Sequence, residues 1–187
     1  HFVDNDQITG AVTAVVGPDG LIAVEAFGLA DVAGKRSMSK DSMFWIASMT
    51  KPITAMGVLM LVEEGKVGLD EPVEKYLPSF KGQKVATPTG PVPAPRPVTV
   101  RDLLTHTSGL REWSNLVAWQ GWPRGTRVHT QSDAFELITH QQALNYPVGD
   151  YYSYTNSGFL LLRTVIERVS GMPFAQFTAQ RLFVPLG

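Results

Sequence analysis

The chain has 187 residues, of which 44% are hydrophobic and 18% charged, and its formal net charge is −1; this suits one ordinary globular domain with a buried core. The near-neutral balance leaves no basic field for nucleic acid or an anionic membrane, and no apolar run reaches the length of a membrane span. Zero cysteine excludes disulfides, thiolate metal ligands and a cysteine nucleophile, and leaves the compartment open.

In chain order, residues 11–28 read as a β-hairpin. Two β-branched, apolar runs flank Pro18-Asp19-Gly20, which is turn chemistry. Residues 28–43 are polar and irregular. A long helix follows, with Ile53, Met56, Gly57, Met60 and Leu61 on one stripe and Gly65 as its C-terminal cap. Pro52 falls in the first turn, where a missing N–H costs little, so Ser48 lies at or just before the helix start. Residues 81–98 hold five spaced prolines and read as an extended surface loop. Thr99 with Asp102, and Thr130 with Asp133, form capping boxes for two further helices. A helix over 157–170 carries Leu161, Leu162, Val165, Ile166 and Val169. It ends at Ser170-Gly171, and Pro173 begins the next. No convincing strand follows the hairpin, although a hairpin alone is not stable.

Ser48 and Lys51 stand three residues apart at a helix head, a spacing that lets an amine reach a hydroxyl. A free hydroxyl is a weak nucleophile and needs a base. Burial at an apolar helix head would lower the lysine pKa, and the helix N-terminus offers a backbone N–H to a developing oxyanion. The spacing alone is weak evidence. Eleven serines and seven lysines give roughly 0.4 such pairs by chance, and Ser37 with Lys40 is a second one. Only Ser48 has an apolar run, Phe44-Trp45-Ile46-Ala47, before it and a buried helix after it. Tyr154-Thr155-Asn156 is the second constellation, on a loop before a helix. A tyrosinate near Lys51 can act as general base, and Asn156 offers a donor and an acceptor to a substrate. Taken singly, Tyr154 reads as a core aromatic and Asn156 as a helix cap. Taken with Ser48 and Lys51, they read as a site.

His106 has no Gly-x-Ser-x-Gly elbow to serve and reads as a structural histidine satisfying loop backbone. His1, His129 and His140 show no metal spacing, so neither metal nor cofactor is expected. Ser108, Ser157 and Ser170 each precede glycine and read as turn or cap residues. Trp113, Trp119 and Trp122 cluster in a segment between helices, where they either wall an acyl pocket or pack beneath a long loop.

Four stretches together resemble the penicillin-recognising serine hydrolases, which include class C β-lactamases, D-alanyl-D-alanine carboxypeptidases and related esterases. They are Phe44 to Thr54 (Phe-Trp-Ile-Ala-Ser-Met-Thr-Lys-Pro-Ile-Thr), Leu103 to Leu110 (Leu-Leu-Thr-His-Thr-Ser-Gly-Leu), Pro147 to Gly158, and Val169 to Phe174. The resemblance implies an α/β fold of the α+β type, an antiparallel sheet flanked by helices plus a helical region. It implies an acylated Ser48, Lys51 in proton transfer, Tyr154 as general base, Asn156 in substrate binding and the Ser48 N–H as one oxyanion donor. It also tips the tryptophans toward a pocket wall and favours a periplasmic or secreted protein.

The family's third motif, Lys-Thr-Gly or His-x-Gly, is missing from these residues. The expectation is therefore that residues 1–187 are the N-terminal portion of one catalytic domain. Residues 1–50 would supply the hairpin and nucleophile loop, and 51–187 a mainly helical part. The C-terminal strands would follow, and a C-terminal segment of the same protein as a separate piece is a candidate partner. The expected substrate is a small ester, amide or β-lactam, with an esterase favoured over a β-lactamase or carboxypeptidase. A catalytically silent scaffold of the same fold is the reading from another class.

Overall fold

The computed structural model describes residues 2–121, 128–141 and 143–187. These fall into two compact units, divided between Ala47 and Ser48.

The first unit is built on strands β1 (Gly10–Gly17) and β2 (Gly20–Asp31), which pair antiparallel with Gly17 opposite Gly20. The turn is thus Pro18-Asp19, as its residues predict. Val15 faces Ala23 while Val16 faces Leu21, so Ile22 is the extra residue of a bulge. A short strand β3 (Arg36–Ser37) extends the sheet along the free edge of β2, in the order β1-β2-β3. The stretch read as irregular therefore supplies the strand that the hairpin needed. Two residues carry no alternation from which to read it.

The second unit holds the apolar core. Helix α1 (Thr50–Glu63) follows a 3₁₀ turn over Ala47–Met49. Its buried face is Thr54, Gly57, Val58 and Leu61. This differs by about one position from the expected stripe, and Met56 is exposed. Gly57 and Leu61 lie on the buried face as expected, and a Cβ at Gly57 would lie 3.0 Å from Ile166 Cδ1 and 3.2 Å from Phe177 Cε1. The helix turns its smallest residue toward its neighbours, not its methionine. It ends in a Schellman motif. Gly65 adopts φ 67, and Lys66 N–H and Gly65 N–H donate to Leu61 and Val62 carbonyls.

The proline-rich segment is packed rather than free. Strands β4 (Lys84–Val85) and β5 (Val92–Pro93) pair antiparallel within it, Val85 and Val98 are buried, and Val85 also bridges to Leu144. Both capping boxes form as expected, over α2 (Val100–Leu104) and α4 (Gln131–Thr139). Between them, the tryptophan segment, read as a connection between helices, contains helix α3 (Trp113–Trp119), with Leu116 and Val117 buried. Helix α5 (Asn156–Ser170) is the centre of the unit. It buries Ser157, Gly158, Leu161, Leu162, Val165 and Ile166 and packs against α1, α2, α4 and α6 (Phe174–Thr178). A π turn (Ala179–Phe183) leads on to α7 (Val184–Leu186).

Asp102 ties together the segments on either side of α2. Its nearly buried carboxylate accepts from Arg96 at 2.7 and 2.9 Å, from Thr99 N–H at 2.9 Å, from Thr99 Oγ1 at 2.6 Å and from Thr107 Oγ1 at 3.2 Å. Burial alone would raise its pKa, but Arg96 and the Thr99 donors outweigh it and hold the value below 3.8. The stabilisation is therefore complete above the ordinary value and is lost as pH falls through the lower folded value. Asp102→Asn should cost about 2 kcal/mol at neutral pH. Urea denaturation should show the gap from wild type closing as pH falls below 3.8.

Candidate active site

Ser48 occupies the 3₁₀ turn at the head of α1, and Lys51 lies in the first helical turn. Lys51 Nζ donates to Ser48 Oγ at 3.2 Å, the contact that an i, i+3 pair allows. Ala47, immediately before the serine, has φ 44. A left-handed backbone at a non-glycine residue stores strain of the kind found where a side chain must be aimed.

The second half of the site comes from the head of α5. Tyr154 Oη lies 2.6 Å from Ser48 Oγ, and Asn156 Oδ1 accepts from Lys51 Nζ at 2.6 Å. Lys51 Nζ also stands 4.6 Å from the centroid of the Tyr154 ring and 5.7 Å from that of Phe159, within cation–π range. The structure thus brings together all four residues singled out in the sequence. Their surroundings differ from expectation, since Ser48, Tyr154 and the preceding run of Phe44 to Ile46 are exposed. The Lys51 ammonium meets a hydroxyl, an amide oxygen and two aromatic faces.

The hydrogen bond from Lys51, then that from Ser48, lowers the Tyr154 pKa below its ordinary 10.0. When neutral, Tyr154 donates to Ser48; when ionised, it accepts the Ser48 proton across the same short contact. Such an arrangement can deprotonate a hydroxyl and later return the proton.

Two residues from the segment after α2 hold this loop. His106 is buried. Its Nδ1 accepts from Thr155 N–H at 3.3 Å, and its ring stacks obliquely on Tyr154 with centroids 4.7 Å apart. Burial, and secondarily Lys51, pushes its pKa below 6.5, consistent with a neutral ring that accepts. This is the structural role expected for His106. Glu112 was not singled out in the sequence. It accepts from Asn156 N–H at 2.6 Å, from Thr155 Oγ1 at 2.9 Å and from Asn156 Nδ2 at 3.2 Å. Its position just before an apolar helical pattern hints at a helix start, but its partners lie 43 and 44 residues further on, beyond the reach of any local motif. Thr155, not Asn156, caps α5. Ser157, read as a local turn or cap residue, is instead a buried cross-link: its hydroxyl accepts from Trp113 N–H and donates to the Arg111 carbonyl.

A family model described as Beta-lactamase matches residues 1–187. This chain belongs to the beta-lactamase family. Penicillin-binding protein 4* of Bacillus subtilis is 31% identical over 98% of this chain and 38% of its own length. Esterase EstB of Burkholderia gladioli is 34% identical over 97% of this chain and 46% of its own. Among solved structures, EstCE1, a hydrolase with promiscuous acyltransferase activity, superposes with a TM-score of 0.81 at 28% identity, covering 100% of this chain and 49% of that one. The chain therefore spans less than half the length of these relatives. The family is one of hydrolases, and the mixed α/β architecture is its fold.

Within this beta-lactamase family chain, Trp119 stands apart from the Ser48 cluster. Trp113 opens α3 and packs against the core. Trp119 is exposed, and its ring lies under Arg111 beside a cavity of about 700 Å³ that Leu116, Glu136, Leu137 and His140 also line. None of the four clustered residues lines that cavity. Trp122 lies outside the described residues. Among the described residues, no group of three or more His, Asp or Glu side chains could hold a metal ion.

The role of Lys51 in setting the Tyr154 proton is directly measurable. Difference absorbance at 295 nm, wild type minus Tyr154→Phe, isolates this tyrosine. Its titration should fall below pH 10.0 and move upward in Lys51→Met. An unchanged midpoint in Lys51→Met would remove Lys51 as the cause.

Proposed function

We propose that the chain carries the acyl-transfer machinery of a serine hydrolase acting on an ester or amide, with a carboxylesterase-like preference. The observation that supports this most is the Ser48 hydroxyl held between Lys51 Nζ and the Tyr154 hydroxyl. The ionised Tyr154, favoured by Lys51, takes the Ser48 proton as Oγ attacks the substrate carbonyl. The oxyanion forms against the Ser48 N–H at the helix head, where first-turn N–H groups lack intrahelical acceptors. Collapse breaks the bond to the leaving group, Tyr154 returns the proton to the departing alcohol or amine, and an acyl ester remains on Ser48. Water then repeats the sequence with the same proton relay. Asn156 steadies Lys51 through Oδ1. Its bond to Glu112 uses one of two amide protons, and the second serves the substrate.

The substrate is a small molecule, not a nucleic acid or a membrane lipid surface. The likeness to EstB and EstCE1 favours an ester. The likeness to penicillin-binding protein 4* favours a second reading, in which a β-lactam or a D-alanyl peptide acylates the same serine. A scaffold that keeps the fold without turnover is the reading to be eliminated first.

A fluorophosphonate probe should label the wild type and fail to label Ser48→Ala. Tyr154→Phe should slow acylation roughly 10²- to 10⁴-fold. Labelling that survives Ser48→Ala would sink the assignment of the nucleophile. A short-chain p-nitrophenyl ester should be a better substrate than a chromogenic cephalosporin, and the reverse order would replace the esterase reading with the second one.

A further inference from the structure

Glu112 touches none of the atoms that react in the scheme above, yet it meets the site at one residue, Asn156. Its carboxylate takes the Asn156 N–H and one Nδ2 proton, at 2.6 and 3.2 Å, while the other end of that amide, Oδ1, receives Lys51 Nζ at 2.6 Å. A primary amide has an accepting and a donating end of nearly equal shape. Which end faces a neighbour depends on what the other end finds. A carboxylate only accepts, so it takes the NH₂ end and leaves the oxygen for Lys51. Were the amide reversed, its NH₂ would confront the Lys51 ammonium, and its oxygen would confront Glu112.

We propose, resting on the hydrolase reading, that Glu112 is a positioning residue of the reaction, which holds the Asn156 amide with its oxygen toward Lys51 and thereby sets where the ammonium stands beside Ser48. The carboxylate is suited to this by its own anchorage. Thr155 Oγ1 donates to the same oxygen that takes the Asn156 N–H, and Trp113, the next residue in the chain, is bonded through its N–H to the buried Ser157 hydroxyl. Glu112 thus moves with the head of α5, as Asn156 does.

The competing explanation is that Glu112 only caps α5. A negative group at a helix N-terminus stabilises it, and the bonds to Thr155 Oγ1 and Asn156 N–H serve that end. This role would be indifferent to the Asn156 side chain, and a double-mutant cycle separates the two. The rates of p-nitrophenyl acetate hydrolysis are compared for wild type, Glu112→Gln, Asn156→Ala and the double variant, with the melting temperature of each. Gln can donate to the Asn156 oxygen and so permits the reversed amide. Glu112→Gln should lower kcat/KM roughly 10- to 100-fold in the wild-type background and less than about threefold beside Asn156→Ala. The same loss in both backgrounds, or no loss in the first, overturns the proposal.

A readout free of turnover accompanies it. The ¹H–¹⁵N signals of the Asn156 side-chain amide should be displaced in Glu112→Gln, and unchanged signals overturn the proposal. If that variant does not fold, Glu112→Asp replaces it, since it keeps the charge at the head of α5 but draws it back from Nδ2; the same loss and displacement are expected. Absence of Ser48-dependent turnover in the wild type would sink the hydrolase reading instead, and the amide signals would still decide the placement by Glu112.

Discussion

Ser48 and Lys51 lie 106 and 105 residues before their partners Tyr154 and Asn156, and the packing of α1 against α5 is what holds the two pairs in reach. Closing a loop of that length costs on the order of 4 kcal/mol in chain entropy, which the two exposed hydrogen bonds across it do not offset. The apolar faces supply the difference. Val58 and Leu61 on α1 share one buried cluster with Leu161, Leu162, Val165 and Ile166 on α5. Gly57 lets the helices approach, because Ile166 and Phe177 fill the space where its side chain would be. The site therefore sits at two neighbouring helix heads, and its dimensions are set by packing further along both helices.

Around that frame the charges work against one another in a useful order. Lys51 lowers the Tyr154 pKa most, through hydrogen bonding, and the Glu112 charge raises it least among the influences on that group. A carboxylate is needed to hold Thr155 and Asn156, but placed beside the phenol it would oppose ionisation. The structure puts it on the far side of Asn156, where it bonds the amide and the α5 backbone, while the ammonium stands on the near side. Neutral Asn156 separates the two charges and is bonded to both. Distance and screening thus weaken the unfavourable interaction more than the favourable one.

The parts of this arrangement that were legible in the sequence are those encoded locally. The Pro18-Asp19 turn, both capping boxes, the cap at Gly65, the α5 stripe and the Ser48/Lys51 pair each depend on residues within one or two turns of each other. Tyr154 and Asn156 stand out by residue type and by their place on a loop before a helix, and the family resemblance ties them to Ser48, since no spacing does. The residues that were missed are those whose meaning is wholly non-local. Glu112 bonds to residues 43 and 44 positions away, and Ser157 spends its hydroxyl on Arg111 and Trp113. Strands β3, β4 and β5 have two residues each, too few for alternation to show. The α1 stripe was right at Gly57 and Leu61 and misplaced at its edges, where Thr54 and Val58 are buried and Met56 is exposed.

His106 shows how far the loop carrying Tyr154 has been constrained. Its φ of 59 is unfavourable for a residue with a Cβ, at a cost of about 1 kcal/mol or more. That backbone is retained because both ends of the residue serve the same short segment. Its carbonyl accepts from Ser153 N–H at 2.8 Å and its ring nitrogen from Thr155 N–H at 3.3 Å. The two bonds bracket Tyr154, whose ring stacks on the imidazole between them. A more relaxed backbone at 106 would redirect either the carbonyl or the ring and release one of the two amides. The strain at His106 thus fixes the backbone on each side of Tyr154, as the α1–α5 packing fixes the distance across to Ser48. An exposed phenol can then remain 2.6 Å from a hydroxyl without being buried.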